Sequence, residues 1–266
     1  MPILNYIVED ITMYLPIFRG RMFELLALEF LIRNDLLGDK IIPIIEPVKI
    51  TTTLRRVIES FIEKRHEIGL VCNPTVGELV HESSQIISTI TEINGFQEYL
   101  IPVLHMNEDC DTTYQQLSDY YSKEALIASC SQIENISRCL SFVQDECLRY
   151  ILVGESREFT RQIPSNLGGK VLCADRFSKR QRNVDYIEDE DEFFSSDHIY
   201  FREDGFKGIS DYSIIGDEFI DGGFAPKAVA IHIIYQDNQQ VFRIHHFVSD
   251  SNDDTSNPAG KFGEAL

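Results

Sequence analysis

Lys40-Ile-Ile-Pro-Ile-Ile-Glu-Pro-Val-Lys-Ile50 reads as a strand buried on both faces: a short, continuous, β-branched apolar run after a Gly-Asp turn and before a Thr-rich helix start. Two further runs repeat it. Ile68–Asn73 ends in Asn-Pro, and Tyr99–Asn107 carries Leu-Ile-Pro-Val-Leu-His-Met-Asn; helical spacing follows each. All three become polar only at their C-terminal ends, as in parallel barrels and sheets whose functional side lies where the strands finish.

Outward from these runs, the helix expected over Arg21–Leu37 carries Phe23, Leu26, Ala27, Phe30 and Leu31 at helical spacing and stops at Gly38, a C-cap signal. It is expected to cover one end or side of a barrel. Thr51–Thr53 offer caps for a helix whose apolar stripe is Leu54, Val57, Ile58, Phe61 and Ile62. Helices are expected over Gly77–Ile93, Thr112–Ser122 and Gln132–Glu146, and strands over Ala125–Cys130, Arg149–Gly154 and Lys170–Ala174. The regular recurrence of these units favours a closed barrel over an open sheet. Ser178–Phe206, with its acidic run Glu188–Glu192, breaks the period and reads as a solvated excursion or an acidic docking segment. Phe206–Ile215 supplies a seventh strand, and Ala228–Gln236 and Gln239–Val248 flank Asp237-Asn238 as a hairpin with a two-residue turn. The expected fold class is α/β, an irregular TIM-like (β/α)8 barrel with a C-terminal β-hairpin. It is read as a single barrel-like domain over residues 13–266, with residues 1–12 as an N-terminal extension and Met13 as a candidate natural start.

Charge narrows the partners. With 43 acidic against 24 basic side chains the formal charge is −19, which repels phosphate backbones and anionic headgroups, so neither non-specific nucleic-acid binding nor membrane association is expected. No apolar run is long enough for a span, and Glu9 and Asp10 stand where a signal peptide would be basic, so a cytoplasmic location is expected. Cys72, Cys110, Cys130, Cys139, Cys147 and Cys173 show no metal spacing and read as reduced; those inside strands act as small hydrophobes. No Gly-x-Gly-x-x-Gly, phosphate-binding loop or Gly-x-Ser-x-Gly occurs, which counts against nucleotide-triphosphate hydrolysis and serine-esterase chemistry, and no His-x-His or His-Glu-x-x-His spacing supports a metal; no cofactor and no metal are expected.

Tyr14-Leu-Pro-Ile-Phe-Arg-Gly-Arg-Met-Phe-Glu24, Ile42-Pro-Ile-Ile-Glu-Pro-Val-Lys49 and Ala230-Ile-His-Ile-Ile-Tyr235, in that order, resemble a bacterial family similar to the phage beta-protein family. The resemblance runs from Tyr14 over nearly the whole chain. It implies a barrel-like α/β fold and a setting among phage or mobile-element genes, and it implies no particular reaction.

The candidate chemistry lies at the strand ends: Glu46 and Lys49 after the first, Asn73 after the second, His105 and Asn107 after the third, then Glu155, Asp175, Ser210 and Asp211. Proline on either side of Glu46 fixes the backbone, which suits a carboxylate held for acid–base work or ligand binding. The competing reading pairs Glu46 with Arg19, Lys49 or another cation at the mouth. In the hairpin, a turn at Asp237-Asn238 sets His232 opposite Arg243 and places His232, Arg243 and His245 on one face, with His246 on the other. Three cationic groups on one face suit a phosphate or carboxylate. Alternatively, Arg243 pairs internally with Glu46 or Asp211, and the histidines are core residues.

Two functions follow as expectations. One is a binding or regulatory barrel that recognises a phage or host component or docks a protein partner encoded nearby. The other is an enzyme acting on a small anionic ligand or phosphodiester, with Glu46 and His105 as catalytic acid–base groups and Arg243 as anion clamp. Ligand-binding roles then fall to Arg19, Lys49, Asn73, Asn107, Asp211, His232, Arg243 and His245.

Overall fold

The computed structural model describes residues 13–143, 146–212, 216–222 and 226–266. The expected N-terminal extension, the last residues of the expected seventh strand (213–215) and two near the end of the expected Gln132–Glu146 helix (144–145) lie outside the described residues. In chain order the strands are β1 Met13–Tyr14, β2 Ile17–Phe18, β3 Ile44–Ile45, β4 Ile68–Val71, β5 Leu100–His105, β6 Ile127–Cys130, β7 Leu148–Val153, β8 Gly168–Cys173, β9 Asp191–Ser195, β10 Gly208–Ser210, β11 Ala230–Gln236 and β12 Phe242–Val248. The α-helices are α1 Met22–Arg33, α2 Thr52–Glu63, α3 Ser83–Thr91, α4 Phe96–Tyr99, α5 Cys110–Leu117, α6 Ile136–Val143, α7 Arg157–Gln162, α8 Asp197–Tyr200 and α9 Pro258–Glu264. The chain splits into two compact units, Met1–Cys173 with Phe201–Ser210 and Ala174–Tyr200 with Asp211–Leu266.

The first unit holds a nine-stranded sheet in the order β1-β10-β8-β7-β6-β5-β4-β3-β2. Every pairing in it is parallel, and helices flank it, as in TIM-like α/β folds. The ends of that order, β1 and β2, are neighbours in the chain, separated by Leu15-Pro16. This segment bonds along both edges. On one, Met13 N donates to Lys207 O at 3.3 Å and Leu15 N to Ile209 O at 2.9 Å. On the other, it accepts from Ile42 N (at Tyr14 O, 2.9 Å), Ile44 N (at Pro16 O, 2.8 Å) and Glu46 N (at Phe18 O, 2.8 Å). β4 is buried throughout, which explains its unbroken apolar run.

Helix α2 shows how sequence makes the outer layer. Thr51 caps it, its hydroxyl accepting from Leu54 N at 3.0 Å, and Leu54, Val57, Ile58 and Phe61 bury one stripe. Each such side chain contributes roughly 1.5–3 kcal/mol by leaving water. Helix α1 corrects the expectation. Leu25, Leu28 and Ile32 are its buried residues, whereas Phe23 and Phe30 are 84% and 61% exposed and Leu26 is exposed as well. The helix is apolar on several sides, so its spacing alone selected the wrong face.

The second unit contains an antiparallel sheet, β11-β12-β9. The expected two-residue turn is corrected. Asp237 N donates to Val241 O at 3.0 Å and Gln240 adopts φ 65°, so the loop spans Asp237–Val241 between the paired Gln236 and Phe242. Tyr235 therefore faces Arg243 rather than Gln240, a shift of three residues. An odd shift moves one strand's side chains to the opposite face. His232 lies opposite His246, while Arg243 and His245 lie on the other side. The acidic run is also corrected: its end, Asp191 and Glu192, opens β9 and pairs with β12.

Candidate functional site

The site of the first unit grows from the ends of β2 to β5. After β2 the chain runs Phe18-Arg19-Gly20, and Gly20 takes φ +64°; a Cβ there would meet Ile45 Cγ2 at 3.2 Å and Pro47 Cα at 3.3 Å. Only glycine turns the chain comfortably so close behind Arg19. Beyond β3, Glu46 is completely buried. Its Oε2 accepts from Arg19 Nη1. Its Oε1 accepts from Thr75 N at 2.8 Å and Thr75 Oγ1 at 3.0 Å, and lies 3.2 Å from His105 Nε2. The loop carrying Thr75 is brought in by Gly77 (φ +80°), where a Cβ would lie 2.5 Å from Val48 O.

Asn73 pins the third strand end. Its Nδ2 donates to His105 O and to Asn107 Oδ1, both at 2.8 Å, and its Oδ1 accepts from His105 N at 2.9 Å. Asn107 Oδ1 also accepts from Asp109 N at 3.1 Å. This clamp holds the histidine backbone while Glu46 holds its ring.

Burial alone would raise the pKa of Glu46, and that is the largest single influence. The hydrogen bond and charge of His105, the charge of Arg19 and the Thr75 amide outweigh it together and hold the carboxyl at about 2. An ionised carboxylate only accepts, so His105 Nε2 carries the hydrogen and, in the neutral ring, Nδ1 holds the lone pair. Among the described residues Nδ1 has no hydrogen-bond partner.

The structure thus brings together Arg19, Glu46, Asn73, His105 and Asn107. Lys49 is exposed and is not among the partners of Glu46. Thr75 was missed by sequence reasoning; the only signal was its place just after Asn73-Pro74. Asp211, His232, Arg243 and His245 belong to the second unit. The thiols offer no nucleophile here: burial pushes Cys72 up to about 12 and Cys110 up to about 11. No group of three or more metal-ligating side chains occurs among the described residues.

In the second unit the expected cationic face resolves into two clusters. On one side of the sheet Asp191 accepts from Tyr235 Oη at 2.7 Å and Arg243 Nε at 2.5 Å, with His245 Nδ1 3.5 Å away. The Tyr235 hydrogen bond lowers the carboxyl most, partial burial opposes it, and Arg243 and His245 add to the lowering. On the other side His232 Nδ1 and His246 Nδ1 are 2.7 Å apart, and His246 Nε2 is 3.3 Å from Glu192 Oε1. Tyr186 packs on both imidazoles, with ring centres 4.6 and 4.7 Å away. The expected three-cation pocket is therefore not formed: Arg243 is ion-paired, and His232 faces away from it.

No protein-family model and no curated protein matches the chain. Among the described residues no helix is long and apolar enough to cross a membrane.

Proposed function

We propose that the protein is a binding or regulatory barrel in a phage-related or mobile-element setting, in line with its resemblance to the beta-protein family, and that the Arg19–Glu46–His105 cluster is its recognition site. The two-edged hydrogen bonding of Met13–Phe18 supports a closed ring: with β1 and β2 counted as one strand, the nine parallel strands become the eight of a (β/α)8 barrel. Its functional mouth then lies at the strand C-termini. One observation carries the binding reading. Both oxygens of the fully buried Glu46 are engaged, Oε2 by Arg19 and Oε1 by Thr75 and His105, which makes it a fixed charge in a receptor wall rather than a group that exchanges protons at neutral pH. The ligand class is a small, polar or anionic molecule, or the surface of a protein encoded nearby, met in the cytoplasm. A screen of purified protein against phosphate esters, carboxylic esters and nucleotides decides this reading: it stands if nothing is turned over, and turnover that His105→Ala abolishes overturns it.

A second reading has its own support. An imidazole held through Nε2 by a buried carboxylate, with its backbone clamped by Asn73, is how a general base is oriented. On this reading the protein is an enzyme, His105 Nδ1 takes the proton, and Glu46 positions the ring.

A further inference from the structure

Ser129, the penultimate residue of β6, is the register partner of His105 across the β5–β6 pairing. Parallel partners lie about 4.8 Å apart and point to the same side of the sheet. The next residue confirms the direction: Cys130 is in contact with Cys139 of α6, so it faces the helices, and Ser129 faces the opposite side with His105. The hydroxyl is nearly enclosed, the residue being 4% exposed, yet its Oγ has no hydrogen-bond partner among the described residues. Buried hydroxyls are normally satisfied. Ser210, another buried serine of this sheet, shows the ordinary arrangement, its Oγ donating to Leu15 O at 2.6 Å.

An unpartnered hydroxyl thus stands beside an imidazole whose Nδ1 is unpartnered and whose Nε2 is held by a buried carboxylate. We propose that Ser129, His105 and Glu46 form a hydroxyl–imidazole–carboxylate chain in which Ser129 is the acyl-accepting nucleophile for small carboxylic esters. The inference rests on the enzymatic reading above. A side-chain rotation at Ser129 brings Oγ toward Nδ1, and such hydrogen bonds are commonly loose before substrate binds. Oγ then attacks the ester carbonyl as its proton passes to Nδ1. The carbon–oxygen bond to the leaving alcohol breaks, the alkoxide takes the proton from Nδ1, and water repeats the sequence to release the acid. Glu46 remains ionised throughout and stabilises the imidazolium.

The test is labelling with methylsulfonyl fluoride, an electrophile small enough for an enclosed hydroxyl, followed by peptide mass mapping of the full chain. A sulfonyl group on Ser129 is expected, with Ser210 unlabelled and the rate falling about 100-fold or more in His105→Ala. Mapping the unaltered protein needs no variant to fold; Ser129→Ala, which removes only an unpartnered hydroxyl, should keep its thermal midpoint and lose the label. An unlabelled Ser129, or labelling at an unchanged rate in His105→Ala, overturns the proposal. If the ester screen meanwhile shows His105-dependent turnover that survives in Ser129→Ala, the enzymatic reading stands and only the nucleophile is wrong; if no His105-dependent reaction occurs, both fall.

Discussion

His232 and His246 face each other across β11 and β12 with their Nδ1 atoms 2.7 Å apart, so one ring donates and the other accepts. Glu192 at His246 Nε2 favours a hydrogen there, which makes His246 Nδ1 the acceptor and His232 Nδ1 the donor. Tyr186 and Phe177 pack around the pair, and Arg180 bridges Asp189 and Glu192 beside it.

Acid should therefore weaken this part of the protein. Burial, then the charge of His246, lowers His232 to about 4. Because the folded value lies below the unfolded one, the contribution is fully present above about pH 6.5 and is lost as pH falls toward 4. After allowance for the half-buried setting, the loss is on the order of 1–2 kcal/mol. Denaturant unfolding at pH 7 and pH 4.5 measures it, and His232→Gln should flatten the difference.

Glu46 responds in a lower window. Its stabilising contribution is present above the ordinary carboxylate value and disappears only as pH falls to about 2. Glu46→Gln leaves Arg19 without its buried counter-charge and is expected to destabilise by about 3–5 kcal/mol at pH 7. Chemical denaturation followed by circular dichroism decides it; a change below about 1 kcal/mol would show that the pair is solvated.

Arg243→Leu should affect stability by less than about 1 kcal/mol, because its partner Asp191 keeps Tyr235 and His245 and the pair is partly exposed. Calorimetric titration with inorganic phosphate should not distinguish this variant from the unaltered protein, since Arg243 is already neutralised. A clear loss of phosphate binding would restore an anion role for this arginine.

Helix α1 offers a contrast within one element. Leu28→Ala, at a fully buried position, should cost about 2–5 kcal/mol, whereas Phe23→Ser, on the exposed face, should stay within about 0.5 kcal/mol. Equal losses in thermal unfolding would mean that the exposed face is covered in solution.

The sequence by itself determined the β–α alternation and the strand-end position of the site. A strand buried on both faces must be apolar until it leaves the sheet, so the first polar residues, Glu46, Asn73 and His105, mark its end. It could not decide what Glu46 touches. Arg19, Thr75 and His105 come from three other segments, and their convergence depends on the parallel register and on turns at Gly20 and Gly77. Ser129 was invisible for the same reason: a serine near a strand end gains meaning only from its neighbour across the ladder. In the hairpin the strands were legible from their β-branched runs, but the face of every side chain hung on loop length, and the longer Asp237–Val241 turn reversed it. Composition and period are local properties that a chain carries with it; register, pairing and proton position are set only when distant segments meet.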